Sequence, residues 1–554
     1  MRTNTRSPRS VTNVPGKGKH RGECSSHDRH NGGVFATDRT VKLLTLGACC
    51  FGLFMVMLDN TIVNVALPSI QRDLGAGVAG LQLVVDAYVL VFASLLLTAG
   101  SLGDRFGRRR VFRAGLVVFT GSSALCGLAP SLPALVGGRA LQAVGAAALL
   151  PSTLAILTAT FPDPRERVQA IGLWSGVSAM ALAAGPVLGG LLTDALGWRW
   201  VFYANVPVGV AAFLVAGRVI AESRNPDARR LDLPGLVLGG VGLGAVTFAL
   251  IDGNQRGWGS PEILALLALG AAAVAAFLLV EARRRAPMLA LHVFRDPSFS
   301  SANAVALVVG FALLGFVFFN TLYFQAVQGW SPLQAGLRSL PNTLAVMVTA
   351  PLAGRLASRY GYRVPVVAGL LLGAAALLLL TGIHVGTPYA ALWWKLAMLG
   401  SGFGLAIAPS VAAAVAAMPG AQAGVASAVT NTSRQVGGAL GVAVLGAVAS
   451  ARFTAVLPGR LAAAGLPAPL RERIQAAAGE AVGAAPGSGP GAGAAREAVV
   501  SAFVTGMHAA YLLAGLALAA GAVVALLLRP GAGAAGSPGG AVAAEVAARG
   551  GEAP

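Results

Sequence analysis

Ala99-Gly100-Ser101-Leu102-Gly103-Asp104-Arg105-Phe106-Gly107-Arg108-Arg109 returns later in the chain as Ala353-Gly354-Arg355-Leu356-Ala357-Ser358-Arg359-Tyr360-Gly361-Tyr362-Arg363. The register holds beyond both copies, where Ala114-Gly115-Leu116 answers Ala368-Gly369-Leu370. Each copy closes one apolar run and opens the next, so each is a basic connection between two helices. A repeat of this kind means two halves of like architecture, with a binding site between them. The charged pattern differs between copies: Ser358 stands where the first copy has Asp104.

A membrane span needs about 20 mostly apolar residues. Measured outward from the repeat, that ruler gives fourteen stretches, from 43–66 to 504–528. The first copy joins the second and third of them, and the second copy joins the tenth and eleventh. Two six-helix halves would place the copies six helices apart. They are eight apart, so two helices are inserted, and 233–281 is the natural place. The expected architecture is an all-α integral membrane protein of two six-helix bundles plus two inserted helices. Its parts are a disordered cytoplasmic tail at 1–40, a bundle at 41–222, the extra pair at 231–282, a second bundle at 300–530 and a tail at 531–554. Within the second bundle, 450–503 reads as a long external loop of weak amphipathic helices or disorder.

Composition agrees. The chain has 554 residues, of which 55% are hydrophobic and only 11% charged, and its mean hydropathy is +0.71. A soluble domain carries about a quarter charged residues. The formal charge of +19 first suggests nucleic acid, but the arginines cluster between apolar runs. Examples are Arg105 with Arg108, Arg109, Arg110 and Arg113, and Arg355 with Arg359 and Arg363. That is the pattern of cytoplasmic loops. With the amino terminus inside, the short external loops receive only Arg72, Arg199 and Arg256. Both termini are therefore expected in the cytoplasm, with the protein in the cell membrane and no nucleic-acid partner. Cys24, Cys49, Cys50 and Cys126 form no metal or disulfide pattern. No P-loop occurs, and no feature supports an enzyme.

Ionisable residues inside spans are costly and point to function. Asp59 lies in Leu58-Asp59-Asn60-Thr61, which opens the run to Leu67-Pro68, and Asp86 lies in the next span. At 1.5 Å rise per residue both fall about 5–6 Å from the span centre. At one depth on adjacent helices they can share a cavity, where like charge and burial both oppose ionisation. Such carboxylates suit proton exchange between two aqueous sides; the other reading is that either one caps a helix at an outer vestibule. Arg139 sits within reach of that depth and either pairs with Asp59 or ties helix-end carbonyls. Gly185-Pro186-Val187-Leu188-Gly189-Gly190 can act as a hinge or a tight seal, or simply reflect close packing. In the repeated loop, Asp104, Arg105, Arg108 and Arg109 can form a gate against the other half, or be ordinary loop charge. Tyr88, Trp174, Phe316, Tyr323 and Arg434 are candidates for lining a substrate cavity. For the aromatic residues packing is the alternative, and for Arg434 a tie to carbonyls.

These motifs resemble the major facilitator superfamily and, in detail, its fourteen-span drug:proton antiporters. Gly103 to Arg109 resembles the superfamily loop, Leu58 to Pro68 the helix-one motif and Gly185-Pro186-x-x-Gly189-Gly190 the antiporter motif. Arg139 is similar to the helix-four arginine of that family. Trp198-Arg199-Trp200, Asn205-Val206-Pro207 and Thr432-Ser433-Arg434-Gln435 resemble segments of the fourteen-span branch. The resemblance implies a secondary transporter acting as a monomer without cofactor or metal. It would export small amphipathic molecules in exchange for protons. A proton-coupled nutrient importer and a transport-dead receptor or scaffold are the rival readings. No Asp or Glu lies between Asp296 and Glu472, so the expected substrate is neutral or weakly anionic.

Overall fold

The computed structural model describes residues 38–224, 232–284, 291–418, 423–476 and 492–528. The expected tails therefore lie outside the described residues, apart from 38–40 at the start of the first helix. The first half comprises α1 (Asp38–Leu74), α2 (Val78–Phe106), α3 (Arg108–Gly127), α4 (Leu132–Thr160), α5 (Pro164–Leu196), the short α6 (Arg199–Tyr203) and α7 (Asn205–Val219). A hairpin of α8 (Leu233–Arg256) and α9 (Pro261–Arg283) follows. The second half comprises α10 (Pro297–Leu322), α11 (Pro332–Arg338), α12 (Leu340–Tyr360), α13 (Arg363–Leu380), α14 (Trp393–Ala416), α15 (Ala423–Ala463), α16 (Ala468–Ala476) and α17 (Ala492–Ala525).

Helix is the open chain's way of satisfying every backbone group in lipid. Among the described residues, eleven helices are long and apolar enough to cross a membrane. The rest of the fourteen expected stretches also fall on helix: α3 opens on three arginines, α12 holds Arg355 and Arg359, and α5 begins Pro164-Arg165-Glu166-Arg167. Exposed Leu, Val and Met side chains are spread over α3, α7, α9, α12 and α17, a surface suited to acyl chains rather than water.

The two halves share one packing scheme. In the first, α1 packs on α4, α5 and α7, α3 on α4 and α7, and α2 on α4. The second repeats this with α10 on α14, α15 and α17, α13 on α14 and α17, and α12 on α14. The sequence repeat is thus structural down to its turns. Gly107 and Gly361 both have positive φ, +107° and +79°, a conformation that a Cβ would strain. The arginine two residues on repeats its role too: Arg109 donates to the Gly217 carbonyl at the end of α7. Arg363 donates to the Leu528 carbonyl beyond α17 at 3.1 Å.

The inserted hairpin docks through α8 onto α2 and α15. Its helices are capped by Asp232, which accepts from the Gly235 amide, and Ser260, which accepts from the Ile263 amide. The stretch expected as the loop 450–503 is largely helical where it is described. α15 runs unbroken through Pro458 to Ala463, α16 follows, and α17 begins at Ala492. At 1.5 Å per residue α15 is about 60 Å long, twice the hydrocarbon thickness. It therefore projects well beyond the bilayer.

The halves meet through α2 against α15 and α5 against α11 and α12. Among the described residues three hydrogen bonds join them, all towards the end opposite the arginine-rich connections. Gln82 Nε2 donates to the Val442 carbonyl at 2.8 Å, Gln325 Nε2 to the Val65 carbonyl at 2.8 Å and Ser331 Oγ to Asp194 Oδ2 at 2.9 Å. Glycines allow the close approach there. A Cβ at Gly190 would lie 2.5 Å from the Pro332 carbonyl, and one at Gly336 would strike that of Pro186. This end of the bundle is closed.

Candidate functional site

Asp59, on α1, is fully buried. Its Oδ2 accepts from Arg139 Nη1 on α4 at 2.5 Å, forming an ion pair whose side chains are 0% and 3% exposed. Its Oδ1 accepts from Gln142 Nε2 at 2.9 Å and Asn205 Nδ2 at 3.4 Å. Gln142 Oε1 in turn accepts from Arg139 Nη1 at 2.7 Å. Ser123 Oγ, on α3, accepts from Gln142 at 3.2 Å and Asn205 at 3.1 Å, and donates to the Phe202 carbonyl at 2.9 Å. The Arg139 guanidinium lies over the Tyr88 ring at 4.1 Å, and its Nε faces the Val84 carbonyl at 3.4 Å.

Side chains of α1, α2, α3, α4 and α7 thus meet at one buried point. Helical spacing explains the α4 pair, since Arg139 and Gln142 are i and i+3 and share a face. Two buried charges survive because each is paired and hydrogen-bonded. Among the described residues Asp59 is the one anion paired with Arg139, and Gln142, Asn205 and Ser123 around it are neutral. The pairing reading of Arg139 is the one realised; its contact to a carbonyl is secondary.

Asp86 has different surroundings. It is 1% exposed, and neither carboxylate oxygen has a hydrogen-bond partner. It lies one turn beyond Gln82, on the side of α2 that reaches α15, whereas Val84 and Tyr88 face Arg139. Asp59 spends its oxygens on Arg139, Gln142 and Asn205 rather than on a cavity shared with Asp86.

Three proposed cavity residues are packed elsewhere. Tyr88 is buried between Arg139 and Phe92, which it meets at 5.9 Å. Phe316 is buried against Tyr511 at 5.9 Å. Tyr323 donates to the His384 carbonyl at 2.9 Å at the closed end. In this conformation these rings belong to helix packing, the alternative reading of them. Trp174 is partly buried and donates to Thr153 Oγ1 at 3.1 Å. Arg434, also partly buried, donates through Nη2 to Asn431 Oδ1 at 2.9 Å, while its Nε is buried without a partner. Among the described residues no carboxylate faces it. Ser433 beside it donates to Asn303 Oδ1 at 3.3 Å, making a polar patch on α10 and α15.

The stretch 185–190 packs α5 closely against α1. Gly185 lies against Thr61, where a Cβ would overlap the hydroxyl, and a Cβ at Gly189 would lie 2.8 Å from the Ile62 carbonyl. Pro186 sits inside an unbroken α5. In the repeated loop the Asp104 side chain lies outside the described residues, and Arg105 is exposed beside Phe106. Arg108 donates to the Ala155 carbonyl at 3.1 Å. The Arg109 amide donates to Glu222 Oε1 at 3.1 Å, and Arg110 lies 3.8 Å from Glu222. These contacts stay within the first half. Glu222 went unnoticed in the sequence, as did Gln142, Asn205 and Ser123 as members of the charge network.

Two like bundles of membrane helices around an interface, one holding a buried ion pair, define a multi-pass membrane transporter. The chain belongs to the Major Facilitator Superfamily, whose family model matches residues 49–442. It is similar to Multidrug resistance protein Stp of Mycobacterium tuberculosis, 41% identical over 369 residues, which are 66% of this chain and 68% of that one. The Tetracenomycin C resistance and export protein of Streptomyces glaucescens is 41% identical over 360 residues, 64% of this chain and 66% of that one. The Methylenomycin A resistance protein of Streptomyces coelicolor is 40% identical over 349 residues, 63% and 73% of the two chains. In fold the chain matches a bacterial homolog of the human lysosomal transporter Spinster. The TM-score is 0.60 at 18% identity, over 90% of this chain and 99% of that one.

Proposed function

We propose that this chain exports small amphipathic molecules, of the antibiotic kind, by exchanging them for protons through alternating access. The observation that carries the reading is the fully buried Asp59–Arg139 pair inside a two-bundle transporter. An exporter needs a group that releases a proton to one side and gains it from the other. A buried carboxylate with one cationic partner and a neutral polar shell meets that need. Relatives at about 40% identity are named for resistance and export, which supports efflux over import.

The closed end corresponds to the outside and the arginine-rich end to the cytoplasm, so the conformation described is closed to the outside. Substrate enters between the halves, and Arg434 with Asn431 offers it a polar contact. Proton binding at Asp59 loosens Arg139 and favours one state, and release favours the other. Asp86 is a second proton site on the α15 side of α2. The protein acts as a monomer in the cell membrane with both termini in the cytoplasm.

The test is a susceptibility panel in a pump-deficient host, spanning aromatic polyketides, puromycin and dicationic biocides. Resistance to neutral or weakly anionic compounds, abolished by a protonophore, supports the reading. A panel with no change in susceptibility, or resistance indifferent to the protonophore, overturns it.

A further inference from the structure

The closed end holds a cavity of about 470 Å³ between the two halves. That is the size range of small-molecule sites, yet it lies far from the Asp59 network. The first half contributes Gln71, Arg72 and Asp194, and the second contributes Gln325, Trp330 and Arg496. Two atoms in its lining are buried without a hydrogen-bond partner: Gln71 Nε2, on a residue 5% exposed, and Gln325 Oε1. A buried amide left unpaired costs free energy that an occupant would restore. On the rim, Arg72 donates only to the Pro68 carbonyl at 3.3 Å and Ser69 Oγ at 3.1 Å. Among the described residues neither Arg72 nor Arg496 has a carboxylate partner, and Asp194 is engaged by Ser331 at 2.9 Å. The rim therefore carries one net positive charge, beside Trp330, whose ring also carries the Arg338 guanidinium at 3.9 Å.

We propose that this cavity is a second binding site, taking an aromatic compound with an anionic group that reaches it from the closed end. The anion sits between Arg72 and Arg496, while Gln71 donates to the ligand and Gln325 accepts from it. Because the lining comes from both halves, the site exists whole only when this end is closed. A ligand there adds contacts across the closed seam and holds the transporter in that state. Only this conformational consequence rests on alternating access; binding does not.

The experiment uses the full chain in nanodiscs and naphthalene-2-sulfonate as probe, with 2-naphthylmethylammonium as the cationic counterpart. Wild type, the double variant Arg72→Gln/Arg496→Gln and the single variant Arg359→Gln, which changes an exposed arginine at the opposite end of the bundle, are titrated by equilibrium dialysis. Both rim arginines are exposed, so the double variant keeps its fold. The sulfonate is expected to bind wild type and Arg359→Gln alike, and the double variant about tenfold more weakly, a difference of about 1.4 kcal/mol. The ammonium probe is expected to bind none of them. Spin labels at Leu196→Cys and Gly386→Cys, one on each half, should report a larger short-distance population when sulfonate is added. Equal affinity in the double variant, equal binding of the ammonium probe, or loss of binding in Arg359→Gln would overturn the site. No sulfonate binding to wild type would mean that water alone fills the cavity and would overturn it as well. Unchanged label distances on saturation would overturn the conformational part.

Discussion

Separating Asp59 from Arg139 should cost more than removing both. The two side chains are 0% and 3% exposed and meet at 2.5 Å, so either charge left alone has no water to retreat to. Breaking a buried pair by removing one partner costs about 3–5 kcal/mol. Arg139→Gln leaves the Asp59 carboxylate with two neutral donors, Gln142 and Asn205, and should fall in the upper part of that range. Asp59→Asn leaves the guanidinium with Gln142 Oε1, the Val84 carbonyl and the Tyr88 face. A desolvated cation–π contact supplies about 2 kcal/mol, so this variant should fall in the lower part. The double variant Asp59→Asn/Arg139→Gln buries no charge and keeps amides that can hydrogen-bond each other. It should recover about 2 kcal/mol or more of the summed loss, a coupling typical of contacting groups. Denaturant titration of all four proteins in one detergent gives the cycle. Losses that add to within about 0.5 kcal/mol would refute the pairing as an energetic unit.

Other consequences are open to direct test. Cysteines at Asp194 and Ser331, whose side chains now meet at 2.9 Å, should cross-link under oxidant and arrest transport, with recovery on reduction; transport that continues while cross-linked would deny that this end must open. Cysteines introduced in 468–476 should be labelled in intact cells by a membrane-impermeant reagent, and labelling only after permeabilisation would reverse the orientation. Glu222→Gln should weaken the tie to Arg109 and Arg110 by about 0.5–1 kcal/mol of stability at most, as for exposed pairs; loss of membrane insertion would show a larger role. Arg434→Gln should diminish resistance to anionic compounds more than to neutral ones, and an equal loss for both would remove Arg434 from substrate contact.

Charge in an apolar helix is conspicuous, which is why Asp59, Asp86 and Arg139 could be picked out in the sequence. The repeat was legible for a similar reason: glycine at a positive φ and arginine at a helix end tolerate few replacements, as Gly107 with Arg109 and Gly361 with Arg363 show. Azimuth was not legible. Rise per residue places Asp86 and Asp59 at similar depth, but which neighbour each faces depends on how α2 rotates against α4, α8 and α15. Whether Tyr88 lines a cavity or packs was left open for the same reason. Gln142, Asn205 and Ser123 are neutral residues on three helices, and nothing in their spacing announces that they converge. Asn205 stood in a quoted motif, Asn205-Val206-Pro207, without a role. The helical extension of α15 past residue 450 was missed because hydropathy marks where lipid ends, not where helix ends.

The claim that proton movement passes through Asp59 is tested most directly in proteoliposomes. An outward-directed proton gradient (inside acidic) is imposed, and uptake of a weakly anionic antibiotic found in the susceptibility panel is followed together with internal pH. Wild type should accumulate the compound against its gradient while protons move the opposite way. Asp59→Asn should retain downhill exchange of the compound, carry no coupled proton flux and fail to accumulate it. Undiminished uphill transport with proton counterflow in Asp59→Asn would contradict the account.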